Sequence, residues 1–306
     1  ACGNFTTRTV TAVLVVSPIA PTFGTFTVPT KNFRDVAFSL TAPTTDSSGA
    51  FTYSSNTPSV ATVTSGGLVT VVGAGSATIS AVQDACGNFT TRTVTAVLVV
   101  SPIAPTYQSI SQITKTYSTD VSFSLTAIMT GISDSSGAYS FSSTSNAIDI
   151  SGSVATILAY TPSQSAITIT ASQNATENYT AGATSFTIVV NRKTPSYGEF
   201  SIPAKTYGDA SFSVVPYAPT SDSLSVPFTY TSSDPAVATI NSNGTVVTII
   251  GQGYTTITAS QEASGNYAAN SKTTSFLVNR LAPTFLKAFT IPDKTFGDIS
   301  FSLLPF

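Results

Sequence analysis

Val36-Ala-Phe38-Ser-Leu40 sets an apolar side chain at every second position and a small one between. Successive side chains of an extended chain point to opposite faces, so this spacing predicts a strand with one buried face. The pattern returns as Val121-Ser-Phe123-Ser-Leu125, Ala210-Ser-Phe212-Ser-Val214 and Ile299-Ser-Phe301-Ser-Leu303. A four-fold return makes repetition the first feature to explain.

Two further anchors fix the repeat. Asn-Phe/Tyr recurs at Asn4, Asn88, Asn178 and Asn266, in steps of 84, 90 and 88 residues. A proline before Thr/Ser-Phe/Tyr recurs at Pro21, Pro105, Pro195 and Pro283, in the same three steps. Modules therefore span 21–104, 105–194 and 195–282. Residues 1–20 read as the tail of a preceding module and 283–306 as the start of a further one, so the array is expected to continue past both ends. Residues 1–22 and 85–106 are identical at all 22 positions, whereas 175–196 matches 85–106 at 6 of 22. The identity reads either as a recent duplication or as one segment of a periodic array written twice.

Each module reads as strands throughout. An aromatic strand follows the first (Phe51-Thr-Tyr53, Tyr139-Ser-Phe141, Phe228-Thr-Tyr230), and then come 60–63, 68–72, 77–82 and 91–100. Asp46-Ser-Ser-Gly49 and Ser65-Gly-Gly67 mark turns between them. No 3.6-period apolar stripe of helical length appears. About seven short strands in 84–90 residues predict a two-sheet sandwich, with antiparallel ladders expected because no crossover helix is available.

Lys205-Thr-Tyr-Gly-Asp209, Phe228-Thr-Tyr-Thr-Ser-Ser233, Val237-Ala-Thr-Ile240 and Ile257-Thr-Ala-Ser-Gln-Glu-Ala-Ser-Gly-Asn-Tyr267 together resemble the bacterial immunoglobulin-like repeats. Module 105–194 departs from that pattern, with Ser118-Thr119 where Gly would precede Asp120. The resemblance implies an all-β chain of tandem immunoglobulin-like antiparallel β-sandwich modules. It also implies the company of large surface adhesins and giant-virus surface proteins, in which such modules serve mainly as spacers.

Composition narrows the function. Charged residues are 8% of the chain, against about 25% in a typical soluble protein. Ser and Thr supply the polar surface instead, and Thr suits strands because it is β-branched. The net charge is −2 without a basic run, so the footprint of nucleic-acid binding is missing. No apolar run approaches the ~20 residues of a membrane span. The chain has no His, which removes the commonest general base and metal ligand. The 14 acidic residues are scattered. No enzymatic activity, cofactor or metal is expected.

Several repeated residues remain as candidates. Cys2 and Cys86 occupy one repeat position, expected on the order of 35–40 Å apart if ~8-residue strands run along the array. That is too far for a bridge within one extended chain. They read as Ser-like loop residues or as partners in an interchain disulfide. Asp35, Asp120, Asp209 and Asp298 read as turn caps, and calcium at a module junction is the sharper alternative. Lys31, Lys115, Lys205 and Lys294 are expected in the first strand and the repeated Asn at the opening of the last, a pair that some surface sandwiches join by an isopeptide bond, though no buried acid is visibly placed beside them. Sequons at Asn4, Asn88, Asn174, Asn178 and Asn243 are candidate N-glycosylation sites.

Short proline-bearing linkers predict a semi-rigid rod. The expected function is a structural segment of an extracellular or virion-surface filament that associates with neighbouring copies. The alternative is the stalk of a giant cell-surface adhesin. Any host or cell-surface glycan contact is expected elsewhere in the parent protein, because Tyr here alternates with small residues as core positions do.

Overall fold

The computed structural model describes residues 3, 5–162, 165–285 and 289–303. The chain divides into two compact units, 1–191 and 192–306.

The first unit holds two sandwiches. In the first sandwich one sheet has the order β1-β7-β6-β3, from Lys31–Asn32 (β1), Phe51–Ser55 (β3), Gly75–Gln83 (β6) and Arg92–Ser101 (β7). The facing sheet has the order β2-β5-β4, from Phe38–Ser39, Ala61–Val63 and Leu68–Val71. The second sandwich repeats this with β8-β14-β13-β10 and β11-β12-β9. Its strands are Ile113–Thr116 (β8), Ser122–Ser124 (β9), Tyr139–Ser143 (β10), Ile148–Ser151 (β11), Val154–Ile157 (β12), Ile167–Gln173 (β13) and Gly182–Asn191 (β14).

The second unit holds one sandwich of the same plan. Its sheets are β15-β21-β20-β17 and β16-β19-β18. The strands are Lys205–Thr206 (β15), Phe212–Ser213 (β16), Thr229–Ser232 (β17), Ala238–Ile240 (β18), Val246–Ile249 (β19), Gly253–Gln261 (β20) and Asn270–Asn279 (β21).

Each sandwich is held by its own core, supplied by alternate residues of both sheets. In the first, Ala77, Ile79 and Ala81 of β6 and Leu98 and Val100 of β7 meet Ala61 and Val69 of the facing sheet. In the second, Ile167, Ile169 and Ala171 meet Ala155, Ile157 and Leu125. In the third, Ile257, Ala259, Phe276 and Val278 meet Val214, Ala238 and Val247. Burying one such Ile, Leu or Phe side chain contributes roughly 1.5–3 kcal/mol.

Antiparallel ladders dominate, with one parallel ladder in each module. The first strand lies parallel to the last, as in Lys31↔Val100, Lys115↔Val190 and Lys205↔Val278. No crossover helix is required, because the intervening strands build the rest of the sandwich before the chain returns. The strand expected at 36–40 shrinks to β2, and its counterpart at 121–125 ends as Leu125 enters a one-turn helix, Leu125–Ile128 (α1). Ser124 caps that turn by accepting from the Ala127 N–H.

Residues 5–18 and 289–303 form no strand ladder. Arg8–Ser17 carry the same ten residues as β7, yet Val13 and Leu14 are 90% and 86% exposed, whereas Leu98 of β7 is fully buried. A strand needs partners for its backbone groups, and among the described residues none pairs with 5–18 in a ladder.

Candidate functional site

The repeated aspartates are turn caps. Asp35 accepts from the Asn32 N–H at 2.9 Å, Asp120 from Thr116 at 2.9 Å, Asp209 from Thr206 at 2.8 Å and Asp298 from Thr295 at 2.9 Å. The last cap forms without a surrounding sandwich, so this turn is local in origin. Each repeated lysine lies over the aromatic ring seven or eight residues further on: Lys31 over Phe38 at 4.6 Å, Lys115 over Phe123 at 4.8 Å, Lys205 over Phe212 at 5.2 Å and Lys294 over Phe301 at 4.9 Å. That contact gives the ammonium a cation–π role. The repeated Asn does not open the last strand; it stands four residues before it, in the loop leading to β7, β14 or β21.

The Asn-aromatic loop and the linker before each module meet. Ile19 N–H donates to the Asn88 carbonyl at 3.0 Å, and Thr90 N–H donates back to Ile19 at 2.8 Å. Ile103 makes the same pair with Asn178 and Thr180, and Lys193 with Asn266 and Ala268. The proline is tied in beside it. Arg92, at the start of β7, donates to the Pro21 carbonyl, and Asn270, at the start of β21, donates to Pro195 at 3.0 Å. At the same place in β14 stands Gly182, where an added Cβ would lie 2.7 Å from Pro105 Cγ. The two sequence anchors keep step because they touch.

A second repeated network was not anticipated. Gln83, Gln173 and Gln261 are buried at the ends of β6, β13 and β20. Gln173 Nε2 donates to the Ser135 and Gly137 carbonyls at 2.9 and 3.0 Å, while its Oε1 accepts from the Ser133 hydroxyl at 2.8 Å. Gln83 holds Ser47, Gly49 and Thr45 in the same way. Gln261 holds Ser223, Val226 and Ser221. The pinned loop carries Asp46, Asp134 or Asp222, and each accepts from the N–H after the module's first proline: Thr22 at 2.9 Å, Thr106 at 2.8 Å and Ser196 at 2.9 Å.

Within the first unit these parts assemble into a joint between the two sandwiches. Arg34, at φ 70°, projects from the β1–β2 turn. Its guanidinium lies 5.3 Å from the Tyr179 ring and 5.6 Å from the Phe33 ring, and Nη1 pairs with Asp134 Oδ2 at 2.7 Å. Phe33 and Tyr179 meet edge to face at 5.6 Å. Asn178 Oδ1 accepts from the Ala74 N–H at 2.7 Å, across 104 residues of sequence. Charge, an edge-to-face ring contact and a side-chain cap thus join one end of the first sandwich to the Asn-aromatic loop of the second. An exposed ion pair contributes no more than ~1 kcal/mol, so Arg34→Ala is expected to leave both cores folded. It should raise the hydrogen-exchange rate of the Ala74 amide by about fivefold, which site-resolved exchange would measure.

Hydrogen bonds and cations hold four carboxyls below the ordinary aspartate range. The Thr22 hydroxyl acts chiefly on Asp46, the Thr116 N–H on Asp120, the Thr106 N–H on Asp134 and Lys193 on Asp222. A depressed folded value means stability that is present above the unfolded pKa and lost as pH falls through the folded one. The melting temperature should therefore stay level from neutral pH to about 5 and decline below about 4. A calorimetric series across that range would test it.

The other candidates fall as follows. Cys2 and Asn4 lie outside the described residues. Cys86 is unpaired and partly exposed, in a loop closed by reciprocal bonds with Phe89, and its Sγ lies 3.4 Å from the Ser48 hydroxyl. Asn88, Asn174 and Asn243 are exposed, whereas Asn178 is half-buried in the joint. Among the described residues no group of three or more His, Cys, Asp or Glu could hold a metal ion. Among the described residues no helix is long and apolar enough to cross a membrane.

Residues 36–95 match the family model of the bacterial Ig-like domain (group 2), and residues 225–263 match that of the intimin immunoglobulin-like domain. The resemblance read from the third module therefore holds and extends to the first. No curated protein matches the chain. Among solved structures, Drosophila N-cadherin EC1-4 is similar at 12% identity, covering 86% of this chain and 76% of that one, with a TM-score of 0.28. Mouse protocadherin-24 EC1-3 is similar at 14% identity, covering 84% and 98%, with a TM-score of 0.28. Sidekick-1 immunoglobulin domains 1-5 are similar at 10% identity, covering 86% and 59%, with a TM-score of 0.33.

Proposed function

We propose that this tandem immunoglobulin-like repeat region is a structural segment of an extracellular or virion-surface filament. The joint in the first unit is the observation that carries the reading. β7 ends at Ser101 and Ile103 is already hydrogen-bonded to the next module, so Pro102 alone intervenes. Proline fixes its own φ, and the Arg34–Asp134 and Ala74–Asn178 contacts hold the two sandwiches on either side of it. Such a joint transmits load without a flexible tether. The scarcity of charge and the Ser/Thr surface suit the same role.

The match of 225–263 to the intimin domain favours a second reading, a spacer stalk of a cell-surface adhesin. Electron microscopy of the native material separates them. A filament subunit makes lateral contacts that bury well over ~1,000 Å² between chains. Lone rods without such contacts would leave the stalk reading in its place.

A further inference from the structure

We propose that the joint between the first and second sandwiches is an acid-operated latch, in which the Asp134 carboxylate holds Arg34 of the preceding module and releases it when protonated. Such a latch would serve a filament and a stalk alike.

Arg34 occupies a position where the backbone suits glycine. Arg34, Ser118, Gly208 and Gly297 correspond in the repeat, and all four have positive φ, at 70°, 61°, 97° and 102°. Glycine takes that conformation freely, whereas a residue with a Cβ is strained in it. Strain of this kind persists where the contacts of the side chain outweigh it. Those contacts reach into the next module. The Arg34 guanidinium lies against the Tyr179 ring and pairs with Asp134 Oδ2. Ser118, at the same place in the second module, carries no charge to offer.

Asp134 is the other half of the latch. Its Oδ1 accepts from the Thr106 N–H at 2.8 Å, while Oδ2 faces Arg34 at 2.7 Å. In the third module the corresponding Asp222 takes its cation from its own linker, Lys193, also at 2.7 Å. Ile103 stands at the Lys193 position in the second module, so Asp134 takes its cation from the neighbour instead. The charged and titratable side chains set against Asp134 are Arg34, from the β1–β2 turn, and Tyr107, from the segment after Pro105. Arg34 stays charged in acid, and burial pushes the Tyr107 hydroxyl above the ordinary phenol range, so of the three only Asp134 changes charge below about pH 5. The Thr106 N–H and hydroxyl and the Arg34 guanidinium hold the Asp134 carboxyl below the ordinary aspartate range. The pair is therefore present at neutral pH and lost as pH falls through that lowered value. Phe33 against Tyr179 and the Ala74 N–H on Asn178 carry no charge and survive protonation. The joint slackens while both sandwiches stay folded.

Pulsed dipolar spectroscopy on the full chain tests this. The native thiols are removed (Cys2→Ser, Cys86→Ser), and spin labels are placed at exposed strand positions of the two sandwiches through Thr62→Cys and Ser142→Cys. The expected result is a narrow distance distribution near neutral pH that widens at least about twofold below about pH 3.5, under the ordinary aspartate pKa of ~3.9. Asp134→Asn, which keeps an amide oxygen for the Thr106 N–H, should show the wide distribution already at neutral pH. Arg34→Gly should do the same, with the first sandwich melting within about 3 °C of the parent, because glycine suits φ 70°. In both variants the width should no longer depend on pH. A narrow distribution at neutral pH in either variant would overturn the latch. So would a parent chain whose distribution stays narrow until the sandwiches melt in acid. A larger fall in melting temperature for Arg34→Gly would overturn it as well, by making Arg34 a prop of its own module.

Discussion

Gln173→Ala unfolds the second sandwich at a temperature about 20 °C below that of the parent chain. The side chain is buried and makes three hydrogen bonds to one loop. Truncation leaves the Ser135 and Gly137 carbonyls and the Ser133 hydroxyl without their partner and opens a void under them. An unsatisfied buried group costs ~1–3 kcal/mol, so the sum is about 4 kcal/mol. A domain of this size loses roughly 5 °C per kcal/mol. Gln173→Glu sharpens the test, since it keeps the shape but turns a carboxylate oxygen toward two carbonyls. It should be as damaging at neutral pH and partly recover in acid, where the carboxyl regains a donor. Calorimetry of the full chain should show the shifted transition. A loss below ~1 kcal/mol in the alanine variant would mean that the loop does not depend on the glutamine.

Gly137→Ala strikes the same loop from the other side. An added Cβ would sit 2.0 Å from the Asn174 carbonyl oxygen, and that atom is backbone rather than a flexible side-chain tip. The Asn174 N–H donates to Ala138 at 2.9 Å, so neither strand can yield without losing this pairing. Gly49 repeats the constraint in the first sandwich, at 2.1 Å from the Asp84 carbonyl oxygen. Loss of the turn with its hydrogen bonds and caps is expected to cost about 3 kcal/mol, read as a lowered midpoint in urea. Gly131→Ala is the control for backbone strain, because Gly131 has φ 74° with no atom within 4 Å of an added Cβ. It should cost only ~1 kcal/mol.

The sandwich plan was legible because it rests on period two. Ile167, Ile169 and Ala171 alternate with Thr and Ser, and the structure buries that face. The aspartate caps were legible too, since they act within three or four residues. The glutamine pin shows the limit. Gln173 continues the buried alternation after Ala171, and Gln83 and Gln261 do the same in their strands, so a polar residue in a core phase was the available signal. Its partners, 36 to 40 residues away, carry no local mark. The parallel first-to-last pairing was missed because a parallel pair was tied to a crossover helix. The joint was hidden for a further reason: Arg34 and Asp134 are 100 residues apart and neither pattern belongs to one module. The identical decapeptides of 8–17 and 92–101, one unpaired and one a central strand, show that a strand pattern specifies a capacity that the neighbours complete.

Single-molecule force spectroscopy tests the central claim most directly, that the chain is a series of sandwiches each held by its own core. Pulled from its ends, it should give three separate unfolding events. Each should lengthen the chain by about 27 nm, the extended length of a module of 84–90 residues less its folded span. Gln173→Ala should weaken one of the three and leave the other two unchanged. A single event releasing the whole length, or a continuous extension without peaks, would contradict the account.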